Sequence, residues 1–498
     1  MKNSVVRMLS GTMLLAAIML VSCAKELPGL KLDVENPSAE DGANLEISQG
    51  DTLKIPFTVG ALEGYAVTAT ATSDNELYPV SAVLDASGAA GILSIEAPEF
   101  IFEDATVKVD LTITDAANSR TVAKSFEVSA KSILKDQTVA SNCHLVTPGS
   151  FIKFAAVKGN STEKVSAEKV ELLWQDAAGL VDSLFTLTKN EIYVSLAKEL
   201  QGNAVVAAKN AEGTILWSWH IWVSKEDPTA NLMPYTYTPA EGESQSFQFM
   251  DRNLGAMSSE LGTAAVNGCF YQWGRKDPFP GPNYDGTIKA IYNSKGEVTE
   301  IATETVAEDN NIETAVKNPM TRYNGVSGGN YGWITKDVAA INKDLVFDIW
   351  GGVSKKKSMY DPCPAGYRMP QLAAWQFLSD ANVTKTRIFR ADAPEKPANS
   401  DQMGYKVTVE GKDFFFPHQG EANQKTTLEA AYTNGYGKSG NNWPCGKLWS
   451  SQFDGNFDGT AAKKSYFRAY TNNVTPTSFS YYANFNLGYV VGVRCIKE

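Results

Sequence analysis

The stretch ILWSWHIWV, residues 215–223, sets three of the chain's ten tryptophans and one of its three histidines within nine positions. Extended backbone sends successive side chains to opposite faces. Read as a strand, it puts Ile215, Trp217, Trp219, Ile221 and Val223 on one wholly apolar face and Leu216, Ser218, His220 and Trp222 on the other. Fully burying each large side chain is worth about 1.5–3 kcal/mol, so the first face predicts a central sandwich strand rather than a sugar-stacking platform. Trp222 is the one tryptophan of the three with a claim to exposure, or to contact with the next domain. A structural zinc site needs three or four ligands, and His144 and His418 lie far from His220 in sequence. A hydrogen-bonded histidine is the expectation at that position.

Around this strand the chain reads as modular. Residues 40–130 carry alternating runs such as TLKIPFTV and VKVDLTITD between turn residues, and residues 131–228 continue the pattern with KVELLWQDA and GNAVVAAKN. Short strands spaced by turns predict two Ig-like β-sandwich modules, so the N-terminal half is expected to be mostly β. The proline-rich polar stretch ending at Gln245 reads as a linker over 229–245. Residues 246–498 are richer in aromatics, glycine and asparagine and read as one irregular domain.

The first 22 residues combine Lys2 and Arg7 with the apolar run MLLAAIMLV, the pattern of a secretory signal. LVSC at 20–23 fits a bacterial lipobox. Acylation of Cys23 would then anchor the mature chain to a membrane by hydrocarbon burial, with 23–39 as a tether. This predicts an extracytoplasmic protein, held at the outer membrane and displayed on the cell surface. The formal net charge of -11 argues against nucleic-acid partners.

The C-terminal region carries a resemblance. FMDRNLGA (249–256), CFYQWGRKDPFP (269–280), NPMTRYNG (318–325), YDPCPAGYRMP (360–370), LWSS (448–451) and GVRCIKE (492–498) resemble the major paralogous domain of the FISUMP type, found in surface lipoproteins of Bacteroidota. The resemblance implies an α+β fold similar to C-type lectins and to the formylglycine-generating-enzyme family. It further implies a long-range disulfide between Cys363 and Cys495, which leaves Cys269 and Cys445 to pair by exclusion. Cys143, in a segment apart from the other four, reads as a buried thiol. YDPCPAGYRMP reads as a rigid entry into a helix over QLAAWQFLSD.

Candidate ligand groups fall in the loops of 283–345 and 433–458. Asn441, Asn442 and Trp443 could meet a sugar by amide hydrogen bonds and ring stacking, and Trp333 would join them. Asp454, Asn456 and Asp458 occupy positions 1, 3 and 5 of a calcium-loop pattern, but Ser465 stands where a bidentate Glu belongs. Calcium is thus a conceivable cofactor and none is required. The chain has no His-Glu-x-x-His zinc motif and no P-loop, and an enzyme is not expected. The leading expectation is a lipid-anchored protein whose lectin-like domain binds a glycan or a protein. A structural, fimbria-associated assembly component is the alternative, and a surface glycan hydrolase the weaker one.

Overall fold

In the computed structural model of the chain the described residues are 27–35, 45–60, 66–260, 262–305, 311–324, 333–334, 343–396, 398, 401–422, 430–431, 445–453, 468–474 and 479–498. They are mainly strand, with short helical segments at Ile312–Lys317, Lys343–Asp348 and, as a 3-10 helix, Leu372–Leu378. None of the helices among them is long and apolar enough to cross a membrane. The chain divides into two compact units, one ending at Ile133 and the other starting at Leu134.

The first unit is a β-sandwich. Strands β1 (Lys31–Val34), β2 (Leu45–Ser48), β3 (Thr52–Gly60), β4 (Thr68–Ser73), β5 (Val80–Leu84), β6 (Ala90–Glu96), β7 (Ala105–Asp115) and β8 (Arg120–Lys131) form sheets of order β1-β3-β6-β5 and β2-β8-β7-β4. Alternation decides which side chains are inside: Val107, Val109, Leu111 and Ile113 of β7 are all fully buried. Gly91 is required where β6 crosses the Phe57 ring, because a Cβ there would stand 2.4 Å from Phe57 Cζ and 2.7 Å from the Val83 carbonyl oxygen. The expected tether over 23–39 is corrected in part: its residues Lys31–Val34 are a strand paired antiparallel with β3, buried through Leu32.

The second unit opens with β9 (Leu134–Gln137), β10 (Cys143–Val146), β11 (Phe151–Ala155), β12 (Lys169–Gln175), β13 (Val181–Phe185), β14 (Glu191–Leu196), β15 (Gly202–Lys209) and β16 (Ile215–Val223). One sheet runs β13-β14-β11-β9; the facing one runs β10-β16-β15-β12 and continues through Ile291–Tyr292 and Val298–Thr299. Four of the five residues expected on the odd-numbered face of β16 do what the sequence predicts: Trp217, Trp219, Ile221 and Val223 pack with Ile152, Phe154, Val194 and Val206 between the sheets. The fifth is corrected, since a register shift opposite the start of the strand leaves Ile215 against the other core and Leu216 against this one.

The other face of β16 is buried as well. Trp222 is 0% exposed, packs with Trp174, Met250, Cys269, Tyr271 and Trp273, and donates its indole N–H to the Ala256 carbonyl at 3.1 Å. The expectation that Trp222 reaches the surface is therefore corrected, while the contact with the following region offered as its alternative is present. Ser218 and His220, polar by sequence, are matched by polar groups from the block at 269–280. Ser218 Oγ donates to Asp277 at 2.7 Å, and Lys276 Nζ reaches Ser218 Oγ at 2.6 Å and Asp277 at 2.7 Å. Because β16 serves two cores, the expected boundary at 228–246 does not separate compact units; residues 134–498 form one. The expected linker contains strand β17 (Met233–Tyr237), paired with β18 (Gln245–Phe249).

The chain closes on this assembly. Phe249 pairs with Ile496, and Arg368 pairs with the same residue from the other side. A disulfide joins Cys363 to Cys495 across 132 residues, which in the chain-entropy model adds roughly 5 kcal/mol of stability.

Candidate functional site

Between β9 and β10 the chain crosses from one sheet of the sandwich to the other. β9 runs parallel to β11 in the first sheet, and β10 runs parallel to β16 in the second. Each is the last strand of its sheet, so their outer edges border the same opening. The 360–370 block forms another wall, through an isolated bridge between Cys143 and Pro364. The result is a cleft of about 510 Å³ lined by residues 136–139, 143–147, 224, 226, 227, 229, 364, 365 and 367.

The walls are held from behind. Asn142 donates its amide to the carbonyls of Met359 at 2.7 Å and Asp361 at 2.9 Å. The Asp361 carboxylate is buried and accepts from the N–H groups of Cys363 and Met369, both at 2.8 Å. Lys357 Nζ donates to the carbonyls of Cys363 at 2.6 Å and Pro364 at 3.1 Å. The proline turns at 362–364 therefore sit on a satisfied polar base rather than on loop entropy.

The cleft lining carries three carboxylates, Asp136, Glu226 and Asp227, and no lysine or arginine. Lys153 meets Asp136 at 3.0 Å and Arg252 meets Glu226 at 2.9 Å, both from outside the lining. Asp227 accepts from the Thr229 backbone at 2.8 Å and hydroxyl at 2.6 Å. Burial raises the Tyr367 phenol above its ordinary range, with a hydrogen bond to Thr229 acting the other way. His144, 3% exposed, stacks on Phe154 at 4.1 Å, and its Nε2 has no hydrogen-bond partner. Burial pulls its pKa down to about 3, so the imidazole is neutral at physiological pH.

A second groove, about 740 Å³, is lined by Asp251, Glu260, Lys406, Lys412, Asp413 and Phe415 among others. Its charges are mixed in sign, and Lys406 pairs with Asp413 at 2.9 Å. It offers less unpaired polar chemistry than the cleft at β9 and β10.

The residues singled out from sequence fall elsewhere. Trp333 is corrected as a ligand residue: it is 1% exposed and donates its indole N–H to the Trp273 carbonyl at 2.7 Å, so packing has claimed it. Cys23, Asn441, Asn442, Trp443, Asp454, Asn456 and Asp458 lie outside the described residues. The Cys269–Cys445 bridge is corrected, since both are buried free thiols. Cys269 sits beneath Gly255 in the tryptophan-rich core, whereas Cys445 pairs its carbonyl with the Gly420 N–H at 2.9 Å. Among the described residues no group of three or more His, Cys, Asp or Glu is placed to hold a metal ion.

His220 is hydrogen bonded on both sides. Asn203 commits its amide nitrogen to Asp176 at 2.8 Å and the Gly255 carbonyl at 2.9 Å, leaving its Oδ1 to accept from His220 Nε2 at 2.9 Å. Nδ1 then accepts from the Tyr271 hydroxyl at 3.3 Å. Burial lowers the pKa of His220 and of His418 to about 3 and raises the Cys445 thiol to about 12. Cys143 and Cys269 are shifted upward for the same reason. None of these thiols is poised as a thiolate nucleophile.

The cleft itself was missed by sequence reasoning. The one available signal was DQTVASNC (136–143), a polar break between two short strands in a module otherwise dense with apolar alternation.

No protein-family model and no curated protein matches the chain. Among solved structures, a chimeric titin Z1Z2 matches at 12% identity over 36% of this chain and 91% of that one, with a TM-score of 0.15. The SGBP-B protein of the Bacteroides ovatus mixed-linkage glucan utilization locus, in complex with a heptasaccharide, matches at 12% identity over 39% and 46%, with a TM-score of 0.12. A Porphyromonas gingivalis W83 protein of unknown function matches at 11% identity over 39% and 98%, with a TM-score of 0.16. Likeness at this level carries no argument about fold or ligand.

Proposed function

We propose that the chain is a non-catalytic recognition protein of the cell envelope, anchored by lipid at Cys23, with the cleft at β9 and β10 as its ligand site. The observation that carries this reading is the cleft lining: three carboxylates, several hydroxyls and a buried imidazole nitrogen without a partner, on rigidly backed walls. Ligand sites combine such a preformed concavity with a few polar groups that fix orientation. A buried unpaired polar atom costs about 1–3 kcal/mol, a cost that a ligand's polar atom would remove. The buried, neutral histidines and protonated thiols favour binding over bond-making chemistry. The disulfide suits an oxidising, extracytoplasmic compartment, in line with the lipobox at residues 20–23. The Ig-like character of the N-terminal sandwich and the FISUMP-type, C-type-lectin-like character of 246–498 belong to this same proposal, the latter resting on the sequence blocks of that region.

The test is to screen the mature chain against glycan and peptide arrays, and to repeat any hit with Asp227→Asn and Glu226→Gln. Weakened binding in the folded variants supports the assignment; undiminished binding in both removes the cleft as the site. Cys23→Ala is expected to move the protein from the membrane to the soluble fraction, and retention in the membrane would overturn the anchor.

A further inference from the structure

The outer edge of β10 carries unused backbone groups. In its parallel ladder with β16, His220 N–H donates to the Asn142 carbonyl at 2.8 Å and Ser224 N–H to the Val146 carbonyl at 2.9 Å. With Cys143 opposite His220 and Val146 opposite Val223, the even-numbered residues of this strand turn their N–H and C=O groups toward β16. The odd-numbered ones turn theirs away, as the alternation of a parallel ladder requires. Cys143 meets Pro364 on that outer side. Leu145 meets nothing: among the described residues, neither its N–H nor its C=O has a hydrogen-bond partner. Leu145 also lines the cleft.

One donor and one acceptor on an extended residue at a sheet edge are what an added strand pairs with. Around them stand Asp136, Glu226 and Asp227; Lys153 and Arg252 offset the first two from outside the lining, which leaves Asp227, held by Thr229 and in no ion pair among the described residues, as the anionic group for an incoming cation. His144 Nε2 adds an unpaired polar atom. We infer that the cleft takes an extended polypeptide segment bearing a lysine or arginine, added as a further strand along β10 through the backbone of Leu145. This rests on the reading of the cleft as the ligand site and names the ligand class for it. A glycan would use the carboxylates and hydroxyls but has no need of the Leu145 N–H, which is the point on which the two ligand classes separate.

The experiment uses the full mature chain and three probes: a peptide array with a single Lys or Arg at each position, the same peptides N-methylated at alternate residues, and a glycan array. Leu145→Pro removes the outward N–H, which makes no native hydrogen bond, while Leu145→Ala keeps it and controls for the lost side chain. Basic peptides are expected to bind wild type and Leu145→Ala, and about tenfold more weakly or worse to Leu145→Pro, the equivalent of one lost hydrogen bond. N-methylation of the peptide should weaken binding to wild type by a similar factor, a readout that stands even if Leu145→Pro fails to fold. Equal binding of plain and N-methylated peptides, or of folded Leu145→Pro and wild type, overturns strand addition. Failure of wild type to bind any basic peptide also overturns it. If glycans bind instead and Asp227→Asn weakens them, the ligand site stands and strand addition falls. If Asp227→Asn and Glu226→Gln affect no ligand, both fall.

Discussion

Trp217 donates its indole N–H to Asn142 Oδ1 at 3.0 Å, so the side chain that grips the 359–361 backbone is itself held by the sandwich core. One amide thus satisfies three buried polar groups from two distant parts of the sequence.

Asn142→Ala would leave the Trp217 N–H and the carbonyls of Met359 and Asp361 short of a partner. The expected loss is about 3 kcal/mol, given the cost of unsatisfied buried groups. All ten tryptophans lie at or beyond residue 174, so fluorescence-monitored urea unfolding reads the second unit alone. A shift in midpoint below what 1 kcal/mol would produce would show that the amide is not central to the junction.

Thiol titration distinguishes the cysteine arrangement. With Cys363 bonded to Cys495 and Cys143, Cys269 and Cys445 free, residues 24–498 unfolded without reductant should react at three thiols. A count of one would restore the second bridge. Replacing Cys363 and Cys495 together by serine should lower stability by about 5 kcal/mol in the chain-entropy model.

Acid should act on the second unit first. His144, His220 and His418 are held down to about 3 by burial, against about 6.5 in the unfolded chain. Between these values the unfolded state binds more protons, so stability is fully present above pH 6.5 and is lost as pH falls toward 3. Three such groups give a limiting slope on the order of 4 kcal/mol per pH unit. The first unit has no histidine and lacks this dependence. Urea midpoints by fluorescence from pH 7.5 to 4.5 test this; a flat profile would show that these histidines protonate inside the folded protein.

Gly91→Ala should weaken the first unit by about 1–3 kcal/mol, the usual cost of overpacking, because its Cβ would meet both the Phe57 ring and the Val83 carbonyl. Circular dichroism should show the loss while the tryptophan transition stays in place. An unchanged melting profile would mean that β6 moves aside at little cost.

Strand alternation made much of the fold legible, because it is written in neighbouring residues. The apolar face of Ile215–Val223 announced a core strand, and β7 announced its four buried residues. What could not be read was the second face of β16. The partners of Ser218 and His220 are not in the neighbouring sequence: Lys276, Asp277 and Tyr271 arrive from more than fifty positions away. The helix expected over QLAAWQFLSD is a tight 3-10 segment that buries Ala374, Trp375, Phe377 and Leu378, its three-residue turn aligning Ala374 with Phe377 and Trp375 with Leu378. The cleft was illegible for the same reason as the junction. Its walls come from β9, β10 and Pro364, and contacts between residues over two hundred positions apart, the Cys143–Pro364 pairing and the Asn142 bonds to Met359 and Asp361, bring them together.

The double burial of β16 also limits how the protein can be dissected. A cut in 229–245 would leave the sandwich core of 146–223 whole but split the other, yielding one fragment that bares Trp222 and Cys143 and another that bares Tyr271, Cys269 and Trp273. Large exposed apolar patches of this kind drive aggregation. The shortest piece of the second unit expected to express as a well-behaved protein therefore begins near Leu134, and a recombinant fragment starting at residue 246 should be recovered mainly as insoluble material.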